Sequence, residues 1–167
     1  VDYLASIQPR MHKPAIVTAD LGFAKKARNF AAGLHVPMAF IEKRRVANDS
    51  KAQALNLVGD VFERDVIIVD DEVDSGGSIT QAVNLVKQYG ARDVYVVFVH
   101  PMLSLNASER LAALPVREFI TTDTIPIPPE KAVHFGNRLR VLSVASLLGE
   151  VILRANAGRS VGEMFNE

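Results

Sequence analysis

The segment Val66-Ile67-Ile68-Val69 followed by Asp70-Asp71-Glu72-Val73-Asp74-Ser75-Gly76-Gly77-Ser78 constrains this chain more than any other. Four β-branched apolar residues in a row predict a strand buried on both faces, the kind found in parallel sheets. The acids, hydroxyls and glycines behind it predict a turn at the strand's carboxyl end. Ile79, Ala82, Val83, Val86 and Tyr89 then recur at helical spacing until Gly90 stops them. A strand that passes through a glycine loop into a helix N-terminus can hold an anion on converging backbone N–H groups. Carboxylates beside that loop can grip hydroxyls or a metal, so the whole segment points to a phosphorylated sugar. The bland alternative is a solvated strand-to-helix turn with Asp74 or Ser75 as the helix N-cap.

The rest of the chain alternates in the same manner. Short strands are predicted at Ala15–Ala19, Pro37–Ile41, Val94–Val99, Glu118–Thr122 and Leu139–Leu142, with apolar alternation at Leu55–Val61. Helices are predicted at Lys25–Leu34, Ser108–Leu114 and Val144–Asn156. The charges Glu42-Lys43-Arg44-Arg45 are expected to break the second strand, and residues 46–53 carry no strand signal. Strands alternating with helices, several uniformly apolar, predict an α/β domain: a parallel sheet with helices on both faces. Ligands of such sheets sit outside the carboxyl ends of the strands. Three polar clusters are predicted at that edge: Ala19–Gly22, Glu42–Arg45 and Asp70–Ser78.

Composition narrows the function classes. A chain of 167 residues that is 49% hydrophobic can bury a full core as a single domain. Nineteen basic and nineteen acidic residues cancel, so no global field argues for nucleic acid or an anionic membrane. The absence of cysteine excludes disulfides and thiolate metal sites and fits a cytoplasmic setting. No apolar run is long enough to span a bilayer. The N-terminal Val1 in place of Met suggests a processed chain or part of a longer one. His12, His35, His100 and His134 show no metal-ligand spacing, and His100 reads as structural. Tyr95, Phe119 and Phe135 lack interleaved basic residues and read as core or interface.

The Asp70–Ser78 segment resembles the ribose-5-phosphate motif of the phosphoribosyltransferase fold. Further segments resemble the C-terminal half of the ribose-phosphate pyrophosphokinase family: Lys43-Arg44-Arg45, Asn56–Val61, His100–Ser104, Thr121–Pro126, Leu142–Leu148 and Gly158–Val161. The resemblance runs over nearly the whole chain and implies a phosphoribosyltransferase-like fold. It implies transfer of a pyrophosphoryl group from ATP to ribose 5-phosphate, giving AMP and phosphoribosyl pyrophosphate. By the same resemblance Asp70 and Asp71 take the ribose hydroxyls, while Asp74, Ser75, Gly76, Gly77 and Ser78 cradle the phosphate. Lys43 and Arg45 match catalytic cations on a mobile loop, and Asp20 matches a loop that helps hold Mg²⁺. Read without the family, Lys43 and Arg45 are a basic solvated strand end and Asp20 is a helix N-cap. Three positions depart from the family pattern: Ala19 replaces Pro, Phe23 replaces Gly, and Glu72 stands where an apolar residue is usual.

The resemblance also implies a missing N-terminal half with most of the nucleotide pocket, a fragment incomplete as an enzyme, and a homo-oligomer. Two rival readings stay open. One is a phosphoribosyltransferase that transfers the sugar to a base. The other is a non-catalytic regulatory paralogue that keeps the ribose-phosphate site.

Overall fold

The computed structural model describes residues 1–19, 21–45 and 53–165; at Leu21, residues 43–45 and residues 53–54 it describes the backbone. Seven strands form one sheet: β1 (Ala15–Thr18), β2 (Met38–Arg45), β3 (Gln53–Val58), β4 (Val66–Val73), β5 (Val94–Pro101), β6 (Glu118–Thr122) and β7 (Leu139–Leu142). Their order is β3-β2-β1-β4-β5-β6-β7. Every neighbouring pair is parallel except β2 with β3. The helices are α1 (Asp2–Ile7), α2 (Ala24–Leu34), α3 (Gly77–Gln88), α4 (Ala107–Ala112), α5 (Pro129–Phe135) and α6 (Ala145–Asn156).

Strand alternation sorts the apolar side chains into two cores, one on each face. Ile68, Val96, Phe98 and Phe119 pack with Ile79, Val83 and Val86 of α3, Leu111 of α4 and Phe135 of α5. Ile16, Ile67, Val69, Tyr95 and Ile120 pack with Leu4 of α1 and Ala27, Ala31 and Leu34 of α2. All four residues of Val66–Val69 have no exposed surface, as a central strand covered on both faces requires. Each such side chain contributes about 1.5–3 kcal/mol of burial free energy. Phe119 and Phe135 meet edge to face at 5.0 Å, so the aromatic residues read as core are core.

Four features differ from the sequence reading. The charges after Ile41 do not end β2. It runs to Arg45 and pairs antiparallel with β3, from Phe40 opposite Val58 to Arg45 opposite Gln53. Backbone pairing needs no apolar side chain, so a strand can continue through a run of charge. The sheet is therefore mostly parallel, with one antiparallel edge strand. Next, β4 continues through the acids to Val73, so its turn comes later than the acids suggest. Then, α3 ends at Gln88, and Tyr89 is a half-exposed C-cap followed by Gly90 at φ 83°. Finally, α1 and α5 carry no strong periodic signal; α5 starts with Pro129, whose fixed φ suits a first helical position. The apolar helix α6 buries no residue, and Leu148, Ile152 and Leu153 are more than half exposed.

Candidate functional site

β2, β1 and β4 run parallel and side by side, with Thr18 at the end of β1 level with Phe40 of β2 and Val69 of β4. Of the three polar clusters, the one after β4 forms a cavity of about 220 Å³ lined by residues 70–79. That is smaller than a drug-sized pocket and of the order a small sugar phosphate needs. Asp70, Asp71, Asp74, Ser75, Gly76, Gly77 and Ser78 all line it, together with Glu72.

The acids sit on the last residues of a strand rather than in a loop. Asp70 follows the alternation of Ile68 toward the first core's side, and Asp71 follows Ile67 and Val69 toward the second. Each carboxylate also accepts the next backbone amide: Asp71 N–H donates to Asp70 Oδ1 at 2.9 Å, and Glu72 N–H to Asp71 Oδ1 at 3.0 Å. Lys26 of α2 lies 3.8 Å from Asp71 Oδ2. Alternation then breaks, because Val73 joins the first core with Ile79 and Leu103. Glu72 is exposed beside His100 in register, so its charge faces solvent rather than the core.

The turn itself is held from behind. The carbonyl of Val73 accepts Leu103 N–H at 2.9 Å, and that of Asp74 accepts Ser104 N–H at 3.0 Å. The Ser75 carbonyl accepts Arg110 Nη1 at 3.1 Å. Thr80 closes the corner, donating both its amide and its hydroxyl to the Gly76 carbonyl at 2.9 and 2.8 Å. Gly76, at φ 75°, is the N-cap of α3, and no side chain caps the helix. Asp74 and Ser75 therefore line the cavity without capping, which sets aside the bland reading of them as N-cap residues. A Cβ on Gly76 would press on Leu111 at 3.2 Å, whereas one on Gly77 would meet only Ser75 Oγ at 3.7 Å. The first glycine serves the fold, and the second leaves room on the cavity side.

Asp20 lies outside the described residues. Lys43 and Arg45 are located as backbone on β2, opposite Leu55 and Gln53. Phe23 and Ala19 are buried, at 6% and 2% exposure, so neither side chain fills the site edge. Among the described residues no cluster of three or more His, Asp or Glu has metal-binding geometry, and no helix is long and apolar enough to cross a membrane. His100 Nδ1 lies 2.9 Å from Thr124 Oγ1, the partnered structural role expected of it. Sequence reasoning did not single out Lys26, Thr80 or Arg110. Thr80 is four residues from Gly76 on the same helix and was within reach of local reading. Lys26 and Arg110 come from separate elements, and only the fold brings them to the loop.

A glycine turn between a buried parallel strand and an uncapped helix, with acids on the strand end, defines a phosphoribosyltransferase-type α/β protein. The adenine phosphoribosyltransferase of Saccharomyces cerevisiae shares this fold, with a TM-score of 0.54 at 24% identity over 68% of the chain and 71% of its own. Residues 45–166 match the model of the phosphoribosyl synthetase-associated domain, and the chain belongs to that family. It is 42% identical to the ribose-phosphate pyrophosphokinase of a Nostoc species over 99% of this chain and 48% of the relative. It is 40% identical to that of Caldanaerobacter subterraneus over 90% of this chain and 46% of the relative. The crystal structure of phosphoribosylpyrophosphate synthetase from Mycobacterium smegmatis superimposes with a TM-score of 0.80 at 35% identity, covering 94% of this chain and 48% of that one. The chain thus spans about half the length of the curated relatives it matches.

Proposed function

We propose that this chain is one phosphoribosyltransferase-type domain, the ribose-5-phosphate-holding half of a ribose-phosphate pyrophosphokinase. The observation that carries the reading is the cavity over residues 70–79. There, carboxylates stand beside a glycine turn into an uncapped helix N-terminus. Kinship with the pyrophosphokinases over their matching half favours this reading over a base-transferring enzyme.

In the proposed reaction the anomeric hydroxyl of ribose 5-phosphate attacks the β-phosphorus of ATP. The bond from that phosphorus to the bridging oxygen of AMP breaks, and the hydroxyl proton is lost. Catalysis of this kind rests on placement and on charge neutralisation. Asp70 and Asp71 orient the ribose hydroxyls, and Asp74 through Ser78 fix the phosphate, so that the anomeric oxygen faces the nucleotide. Lys43 and Arg45 supply positive charge to the transferring group. Mg²⁺, when bound, would supply further charge neutralisation to the phosphate groups. It commonly takes only one or two protein carboxylates, and by the family resemblance Asp20 would supply one. ATP as second substrate, assembly into a homo-oligomer and a cytoplasmic setting belong to the same proposal.

The test is calorimetric titration of ribose 5-phosphate into the chain and into Gly77→Val. The wild type is expected to bind and the variant to lose binding while keeping its thermal transition. Equal affinity in both would overturn the assignment. A chimera with the part of the Nostoc relative that this chain does not cover should release AMP from ATP in the presence of ribose 5-phosphate. A folded chimera that binds the sugar phosphate and forms no AMP would favour the regulatory reading.

A further inference from the structure

We propose that Arg110 is a positioning residue for the phosphate, which it serves by fixing the Ser75–Gly76 peptide; this rests on the ribose-5-phosphate reading of the loop. The residues lining the cavity include the carboxylates of Asp70, Asp71, Glu72 and Asp74 and no Lys or Arg. A phosphomonoester carries nearly two negative charges near neutral pH, so the loop must offset considerable like-charge repulsion.

The backbone meets that demand through its orientation. In a trans peptide the carbonyl of one residue and the N–H of the next point in opposite directions. Three successive carbonyls, those of Val73, Asp74 and Ser75, are each bonded on the side of the segment after β5. The amides of Asp74, Ser75 and Gly76 are therefore turned away from that segment. Two of the three carbonyls are held by backbone amides. Among the described residues the third is held only by the Arg110 side chain, whose Nη2 also donates to Asn106 Oδ1 at 3.2 Å.

The segment that holds the loop is itself anchored. Lys131 of α5 donates to the Leu103 carbonyl at 2.8 Å, and Leu111 is buried against Gly76. Arg110 thus acts from a fixed platform. It sets the direction of the Gly76 N–H and brings a positive charge to the back of an acidic loop. Among the described residues it makes no ion pair, so its charge is not spent on a neighbouring carboxylate. A guanidinium fork spans the Ser75 carbonyl and the Asn106 amide oxygen, which a lysine ammonium cannot do in the same geometry.

The experiment pairs calorimetry with amide NMR on the full chain, using ribose 5-phosphate and, separately, inorganic phosphate. On ligand addition the Gly76 amide proton of the wild type should move downfield. In Arg110→Met that movement should shrink while the Ser78 amide keeps its own, and affinity for ribose 5-phosphate should fall about tenfold, as for loss of a charged hydrogen bond. Arg110→Lys, which keeps the charge and loses the fork, should fall between the two. Wild-type binding with Arg110→Met within twofold and an unchanged Gly76 shift would overturn the role of Arg110 and leave the proposed function standing. A wild type that binds neither probe would overturn both. If Arg110→Met fails to fold, Asn106→Ala decides. It frees the guanidinium from its second partner, and a weakened affinity supports the proposal while wild-type affinity and Gly76 shift overturn it.

Discussion

The end of β4 and the end of β2 both carry charge and both run past β1 in the same sheet, yet they are held differently. β4 is flanked on both sides by parallel partners as far as Val69 and by β5 alone beyond it, and its turn is backed by hydrogen bonds from the segment after β5. β2 pairs with β1 only as far as Phe40; beyond it, Glu42 to Arg45 continue in a two-stranded ribbon with β3 alone. Isolated two-stranded ribbons are marginal in water. Under the proposed function, the contrast suits a division of labour. Anion binding wants a preorganised cradle whose dipoles need no reorganisation, whereas cations that must approach a second substrate can sit on an element with fewer ties. Each region also has a glycine at its structural limit. Gly76 packs on Leu111, and Gly59, at φ 115°, stands where a Cβ would lie 2.6 Å from the Ala39 Cβ.

The contrast can be broken most sharply through the ribbon cations. In the chimera, Lys43→Ala or Arg45→Ala should lower turnover by roughly 100- to 1,000-fold, in line with loss of an electrostatic donor to the transition state. Affinity of the chain for ribose 5-phosphate should stay within twofold. A comparable loss of sugar-phosphate affinity would show that the two regions are not separate in role. The next largest effect compares the glycines. Gly59→Ala should cost about 2–4 kcal/mol of stability through strain and steric conflict with β2, read as a lower urea midpoint. Gly77→Val, by contrast, should leave that midpoint nearly unchanged while removing binding.

Within the cradle, Asp71→Asn should weaken ribose 5-phosphate about tenfold by halving the acceptor capacity toward ribose hydroxyls. Asp71 is also paired with Lys26, so a Lys26→Met control should change affinity less. Equal effects would assign Asp71 to the ion pair rather than to the sugar. The smallest effect concerns the turn that leads from the ribbon into β4. Asp60 accepts the Phe62 N–H at 3.0 Å and Arg64 Nε at 3.1 Å, and these partners, the backbone amide first, hold its carboxyl below the ordinary aspartate value of 3.8. Because the folded value is depressed, the stabilisation is complete above the unfolded value and is lost as pH falls through the folded one. Wild type should therefore exceed Asp60→Asn slightly in thermal midpoint at pH 7, with the gap closing below about pH 4. A gap that persists at pH 2 would assign the effect to packing instead of charge.

Much of this molecule was legible before any coordinates. Val66–Val69 announced a doubly covered strand because no polar residue interrupts it, and the two short strands at Glu118–Thr122 and Leu139–Leu142 have the bounds expected of them. That residues 70–78 would share one place was legible for the same local reason: strand, acids, glycines and helix are contiguous, and all of them line one cavity. What failed were boundaries set by neighbours. Glu42–Arg45 read as a break because side-chain pattern reports burial, whereas the backbone pairing with β3 that extends β2 leaves no mark in that pattern. Asp70 and Asp71 read as the start of a turn because charge usually ends a buried strand, but β5 continues alongside to Pro101 and keeps β4 extended.

By itself the sequence determined the α/β alternation, the two-faced core and the chemical character of the loop, since all three follow from short-range periodicity and residue type. Only the tertiary structure decided which groups hold that loop. Arg110 reaches Ser75 from 35 positions away in the chain, and Lys26 meets Asp71 from a separate helix with β2 and β3 between them in the chain. Those pairings depend on strand order and helix placement, which are settled by the packing of both cores together and leave no mark at either residue's own position.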